Sequence, residues 1–227
     1  MEPSASSDIT TLLFDLDGTL VRMKRRGLEL RFMARAIWRF LGAVPPWRFR
    51  RAFWRAADRM QNHGTDLTNY NVFLAELSKH AWSGRDLDAI ARRFIERDFA
   101  RLRDRFEPVA GARETLDLAR RLGYRLILAT NPVWPLAAVR LRLAWGGLAD
   151  VPFDFLSHSE AMTRCKPSTE YYVELLGRIG ADARECLMIG NDPRKDLPAE
   201  KAGIRTILIE DGFDELQEWM KCPSTSA

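Results

Sequence analysis

Four short polar clusters hold the residue types that could do chemistry in this 227-residue chain. They are Asp15-Leu16-Asp17-Gly18-Thr19, Thr130-Asn131, Lys166-Pro167, and Gly190-Asn191-Asp192 with Asp196 four residues on. In an extended segment, side chains at i and i+2 point the same way, so Asp15 and Asp17 face one pocket. Paired carboxylates repel unless a proton or cation sits between them. Hard oxygens from Asp15, Asp17 and Asp192, with room left for water and phosphate, suit Mg²⁺. Gly18 allows a close backbone approach, so its amide and that of Leu16 or Asp17 could bind phosphate oxygens. Thr130 and Asn131 offer neutral donors. Lys166 offers a compact charge able to touch both a phosphate and an attacking carboxylate. The chain has 29 Arg and 6 Lys, so a lysine at this place runs against its usage.

Each cluster follows a short apolar run: Thr10–Leu16, Tyr124–Thr130, Phe153–His158 with a loop before Lys166, and Cys186–Gly190. Ile204–Ile209 is a fifth such run. Between them lie helix-like stretches at Ala112–Leu122, Trp134–Trp145, Ser168–Ile179 and Leu197–Ala202, with Gly123, Gly180 and Gly203 at helix-ending places. Apolar strands alternating with helices predict an α/β fold, a parallel sheet of five or more strands covered on both faces. Ligands bind such sheets at the C-terminal strand ends, where all four clusters fall.

The stretch 22–105 reads differently. Apolar residues recur at helical spacing over Glu29–Leu41, Trp47–Met60, Asn69–Trp82 and Asp86–Leu102, with no convincing strand. The first helix is expected to bury Leu30, Met33, Ile37 and Phe40 or Leu41. An all-α unit is therefore expected as an insertion, residues 22–105, in a core made of residues 1–21 and 106–227. It is strongly basic, with 20 Lys and Arg against 9 Asp and Glu, while the remainder holds 15 against 22. Such asymmetry admits nucleic acid, an acidic membrane surface or an anionic substrate as partner, or a solvated basic surface.

Composition excludes other classes. With 46% hydrophobic and 29% charged residues the chain is neither disordered nor fibrous. Every uncharged run falls short of the ~20 apolar residues of a spanning helix, so no membrane partner is expected. The Ser-rich start with Glu2 and Asp8 has no secretory character, and Cys165, Cys186 and Cys222 form no disulfide framework. A cytoplasmic location is the expectation. The residues 1–8 and 222–227 are polar and expected to fray.

The ordered set of four clusters resembles the haloacid dehalogenase superfamily, and within it the phosphatases. The resemblance covers about residues 10–211 and implies a Rossmann-like core with a helical type-one cap. It implies Asp15 as nucleophile, forming an aspartyl-phosphate, and Asp17 as the acid that protonates the leaving oxygen and then activates water. It implies Mg²⁺ held by Asp15, the main-chain carbonyl of Asp17, and Asp192, with Thr130, Asn131 and Lys166 on the phosphoryl oxygens. Asp196 and Asn191 would support these from behind, and Asn191 could add its amide oxygen, since many relatives carry the acid at that position. The expected activity is Mg²⁺-dependent hydrolysis of a small phosphorylated metabolite. A phosphomutase or phosphonate hydrolase on the same core is the alternative, the latter needing a cap lysine such as Lys24 or Lys79. A dehalogenase would not need Asp17. A nucleic-acid module using the basic insertion is the rival from another class, disfavoured because the acidic core would then be unexplained. Arg25 and Arg26 are the basic residues expected nearest the pocket mouth. Trp38, Trp47, Trp54 and Trp82 are expected in the core, Cys165 as a packing residue, and His63, His80 and His158 as structural.

Overall fold

A computed structural model describes residues 9–209 and 212–221. The polar ends and Cys222 lie outside them. Five parallel strands form one sheet in the order β5-β4-β1-β6-β7. They are β1 (Thr11–Phe14), β4 (Arg125–Leu128), β5 (Phe155–Leu156), β6 (Cys186–Gly190) and β7 (Arg205–Leu208). Alternate residues enter opposite faces, as the period of two requires. Leu12, Phe14, Leu126, Leu128, Leu187 and Ile189 join one apolar cluster, and Leu13, Ile127, Ala129 and Met188 the other. Burying a Leu, Ile, Phe or Met side chain contributes ~1.5–3 kcal/mol, and this double burial suits β1 at the centre, between β4 and β6.

The second face is covered by α7 (Thr169–Ile179), which buries Tyr171, Tyr172 and Leu175. Ser168 starts that helix by accepting the Glu170 N–H at 3.1 Å. On the other face lie α5 (Ala112–Arg121), α6 (Leu136–Trp145) and α9 (Asp214–Lys221), whose Leu216 and Met220 are buried. The sequence patterning did not single out α9. The expected strand Phe153–His158 is only the two-residue edge β5, and the expected helix Leu197–Ala202 is 3₁₀, after the single α turn α8 (Pro193–Asp196).

The basic stretch is helical: α1 (Leu28–Phe40), α2 (Pro46–Gln61), α3 (Asn69–Ser78) and α4 (Leu87–Arg93), which runs on into a π turn at Phe94–Asp98 and 3₁₀ turns to Arg105. Pro46 opens α2 where its fixed φ fits, and Thr68 caps α3. The expectation of no strand in 22–105 is corrected at its rim. Here β2 (Val21–Met23) pairs antiparallel with β3 (Phe106–Pro108), and each strand is too short to show alternation. The buried face of α1 is also corrected. Phe32, Met33, Ala36 and Phe40 face inward, while Leu30 and Leu41 are exposed. The bulky Phe32 and Phe40 set the phase. The expected burial of the tryptophans is also overturned: Trp38, on the outer side of α1, is 74% and Trp47 78% exposed, and Trp54 and Trp82 also reach solvent. No helix among the described residues is long and apolar enough to cross a membrane.

Candidate active site

Three strand ends and the loop after β5 bring the four clusters to one sheet edge. Asp15 follows β1, its N–H held by the Ile189 carbonyl at 2.9 Å, and its side chain is buried. Lys166 Nζ donates to Asp15 Oδ1 at 3.1 Å and to Asp196 Oδ1 at 2.6 Å, with all three side chains buried. It also lies 5.9 Å from the rings of Tyr171 and Tyr172. The other Asp196 oxygen accepts the N–H groups of Asn191 (3.1 Å) and Asp192 (3.0 Å). Gly190 is needed for this, because a Cβ there would strike the Asp196 carboxyl. Asp196 thus fixes both the lysine and the loop after β6.

Electrostatics follow from burial. Desolvation pushes the Asp15 carboxyl up to about 6; Lys166 pulls it down, and Asp196 and Asp17 add to the rise. Burial alone would lower the Lys166 ammonium, but Asp15 and Asp196 outweigh it and hold the ammonium above its usual value.

Neighbouring groups brace this centre. The Asn131 side-chain oxygen accepts the Lys166 N–H at 3.1 Å, and the Thr130 carbonyl accepts the Tyr171 hydroxyl at 3.0 Å. Asn191 packs against the first cluster: its Oδ1 accepts from Thr19 Oγ1 at 3.3 Å, and a Cβ on Gly18 (φ 105°) would collide with its amide. The expected phosphate contact from Gly18 is corrected, because its N–H is committed to the Val21 carbonyl at 2.9 Å. No hydrogen bond among the described residues engages the Leu16 and Asp17 amides.

Asp192 begins the turn after β6. Its carboxylate accepts the Arg194 N–H at 3.0 Å and faces Lys195 at 3.5 Å. Among the described residues, no three His, Cys, Asp or Glu side chains converge on one point. The donors at hand are nevertheless hard oxygens: Asp15, the Asp17 carbonyl, Asp192 and the Asn191 amide. They fit Mg²⁺, which keeps several waters rather than demanding a full protein cage. The desolvated Asp15 carboxylate is a charge such a cation would compensate.

Two contributors escaped the sequence reading. Arg142 on α6 is 1% exposed and its guanidinium closes on the Asp17 carboxylate, also donating to the Ala138 carbonyl at 3.3 Å. Asp17 Oδ1 and Arg142 Nη2 are buried with no partner among the described residues. Asn69, at the start of α3, is fully buried and donates to the carbonyls of Pro132 (3.3 Å) and Arg164 (3.2 Å) and to Cys165 Sγ (3.3 Å). Its own oxygen meets His63 Nε2 at 2.9 Å. The helical insertion is thereby latched to the loops that carry Asn131 and Lys166. Cys165 packs beneath them, its thiol pushed up to about 12 by burial.

Beside Asp17, on the side of the insertion, lies a cavity of about 480 Å³. Arg25 lines it and Arg26 does not.

The haloacid dehalogenase-like hydrolase family model matches residues 9–203. The chain belongs to that family. Among relatives of this hydrolase, a phosphoglycolate phosphatase of Caulobacter vibrioides is 27% identical over 128 residues, 56% of this chain and 52% of the relative. A glyceraldehyde 3-phosphate phosphatase of Pyrococcus abyssi is 28% identical over 211 residues, 90% of this chain and 82% of the relative. The match thus spans about half the length of the first relative and most of the second. The crystal structure of CbbY from Rhodobacter sphaeroides in complex with phosphate superposes with a TM-score of 0.55 at 21% identity, covering 88% of this chain and 85% of that one. At that identity the likeness concerns the fold.

Proposed function

We propose that this hydrolase cleaves phosphomonoesters through Asp15, with residues 22–105 acting as a cap over a core of residues 1–21 and 106–227. The supporting observation is the buried Asp15–Lys166–Asp196 chain of charges at the sheet edge. Lys166 holds the Asp15 carboxylate in place and offers a cation for the incoming phosphoryl oxygens. Asp15 attacks phosphorus while Asp17 protonates the departing ester oxygen; Asp17 then takes a proton from the water that hydrolyses the aspartyl-phosphate. The amides of Leu16 and Asp17, with Thr130 and Asn131, surround the transferred group. Asp15, the Asp17 carbonyl and Asp192, with the Asn191 amide as a further donor, would hold Mg²⁺, which supplies charge neutralisation between carboxylate and phosphate.

The phosphonate alternative finds no support at the cavity. Lys24 pairs with Glu107 at 2.7 Å and Lys79 with Glu76, and neither lines the space beside Asp17. A phosphomutase shares this core, and continuous release of inorganic phosphate separates the two.

The test is phosphate release from a panel of phosphorylated metabolites, with Mg²⁺ and with chelator, for wild type and Asp15→Asn. Release that needs Mg²⁺ and falls by orders of magnitude in the variant is expected. Release unchanged by exhaustive chelation overturns the metal assignment, and a variant retaining more than about a tenth of wild-type turnover overturns the nucleophile.

A further inference from the structure

The leaving group of a phosphomonoester must depart on the side of Asp17, and the space there is unusual in its chemistry. The cavity of about 480 Å³ beside Asp17 is walled by aromatic and aliphatic side chains of the insertion and of the loop before α6, among them Phe32, Phe53, Met60, Phe94, Phe99 and Trp134. The rings meet edge to face, with Phe32 centred 5.1 Å from Phe94 and 5.6 Å from Trp134. They are therefore held as walls rather than free to collapse inward. Polar atoms interrupt the wall at few points: Asp17 Oδ1 and Arg142 Nη2 at the core end, and Ser159 Oγ, are buried with no partner among the described residues, while the Tyr70 hydroxyl is taken up by Asp88 at 2.8 Å. Arg25, Glu29, Trp54 and Gln61 are the lining residues most exposed to solvent.

We infer that the substrate is the phosphomonoester of a bulky apolar alcohol, its ester oxygen at Asp17 and its hydrocarbon or aryl body in this cavity. The inference rests on the phosphatase reading above and narrows it. A short polar alcohol would find only Ser159 Oγ, beyond Asp17 and Arg142, as a free buried partner for its hydroxyls or carboxylate, and an unmet polar group is costly to bury. At ~30 Å³ per water-sized volume, the cavity holds on the order of fifteen such volumes, room for a long chain or a fused ring. The ester oxygen can accept from Arg142 Nη2 and from Asp17 Oδ1 once that oxygen carries the proton it delivers; the rest of the alcohol needs only apolar contact.

The experiment uses n-alkyl phosphates from ethyl to decyl, measured in two ways on the full chain with Mg²⁺. Calorimetric binding is measured with Asp15→Asn, and phosphate release with wild type. Affinity and kcat/KM should each rise about fourfold per methylene until the cavity is filled. Ala57→Phe and Ala91→Phe, which push a ring into the cavity from α2 and α4, should flatten this dependence on chain length. Two sites guard against one variant failing to fold, which circular dichroism checks. Affinity and turnover independent of chain length overturn the inference. A dependence that survives in both folded variants also overturns it, since the chain then binds elsewhere. A steep, cavity-dependent affinity with no phosphate release from any ester leaves the pocket assignment standing and overturns the phosphatase reading instead.

Discussion

Arg142 and Asp17, 125 residues apart in sequence, form an ion pair in which the arginine side chain is almost wholly buried and the carboxylate about a third exposed. The guanidinium also lies 5.6 Å from the Trp134 ring, so the arginine is gripped by a plane as well as by a charge. It fixes the carboxylate at the core end of the cavity. Under the proposed function Arg142 would be a positioning residue, acting on the ester bond through Asp17.

Arg142→Lys keeps the charge but loses the planar fork. Its kcat on an alkyl phosphate should fall about 10²-fold, the usual scale of a lost general acid. On nitrophenyl phosphate, whose leaving group departs without a proton, the fall should stay below about tenfold. Equal losses on both esters, in a variant with the native circular dichroism, would show that Arg142 only supports the fold.

Stability should carry the signature of Asp15. Its carboxyl is raised by burial to about 6 in the folded chain, above the ordinary 3.8. Between those values the folded state binds more protons than the unfolded one, so Asp15 lowers stability as pH rises through that window. Lys166, raised in the folded state, stays charged throughout and does not offset this. In chelator, the Tm of wild type should drop more between pH 4.5 and 7.5 than that of Asp15→Asn. Added Mg²⁺ at pH 7.5 should raise the wild-type Tm more than the variant's, because binding to the folded state adds stability by mass action. Parallel Tm–pH curves would contradict the assignment of the buried charge to Asp15.

Asn69→Ala removes the latch between α3 and the loops at Pro132 and Arg164. Leaving buried partners unmet should cost about 1–3 kcal/mol in urea unfolding. Because those loops carry Asn131 and Lys166, kcat/KM should fall as well. A variant with wild-type stability would show that other contacts hold the insertion in place.

The residues at the sheet edge were legible because each follows a short apolar run, and topology alone then gathers Asp15, Lys166 and Asp196. Arg142 was not. It is one of many arginines, set in an apolar helix whose pattern gives no sign of which face meets Asp17. Asn69 looked like an ordinary helix start, and only the docking of α3 on the core shows what it joins. The phase of α1 misled for a simpler reason: Leu30 and Phe32 are equally apolar on a helical wheel, and the choice between them is made by the neighbouring rings of Phe53 and Phe94. Asp192 was read by its type, yet its carboxylate caps the following turn, while Asn191 beside it reaches the first cluster.

The β2–β3 ribbon has one more consequence. Lys24 donates its N–H to the Arg105 carbonyl at 2.8 Å, so the chain leaves the sheet and comes back through a single doorway. Whatever is threaded between those two residues leaves strand order untouched. Under the proposed function, most of what the alcohol meets can therefore drift by rewriting one contiguous stretch of gene, with Trp134 and its neighbours the part of the wall supplied from outside it.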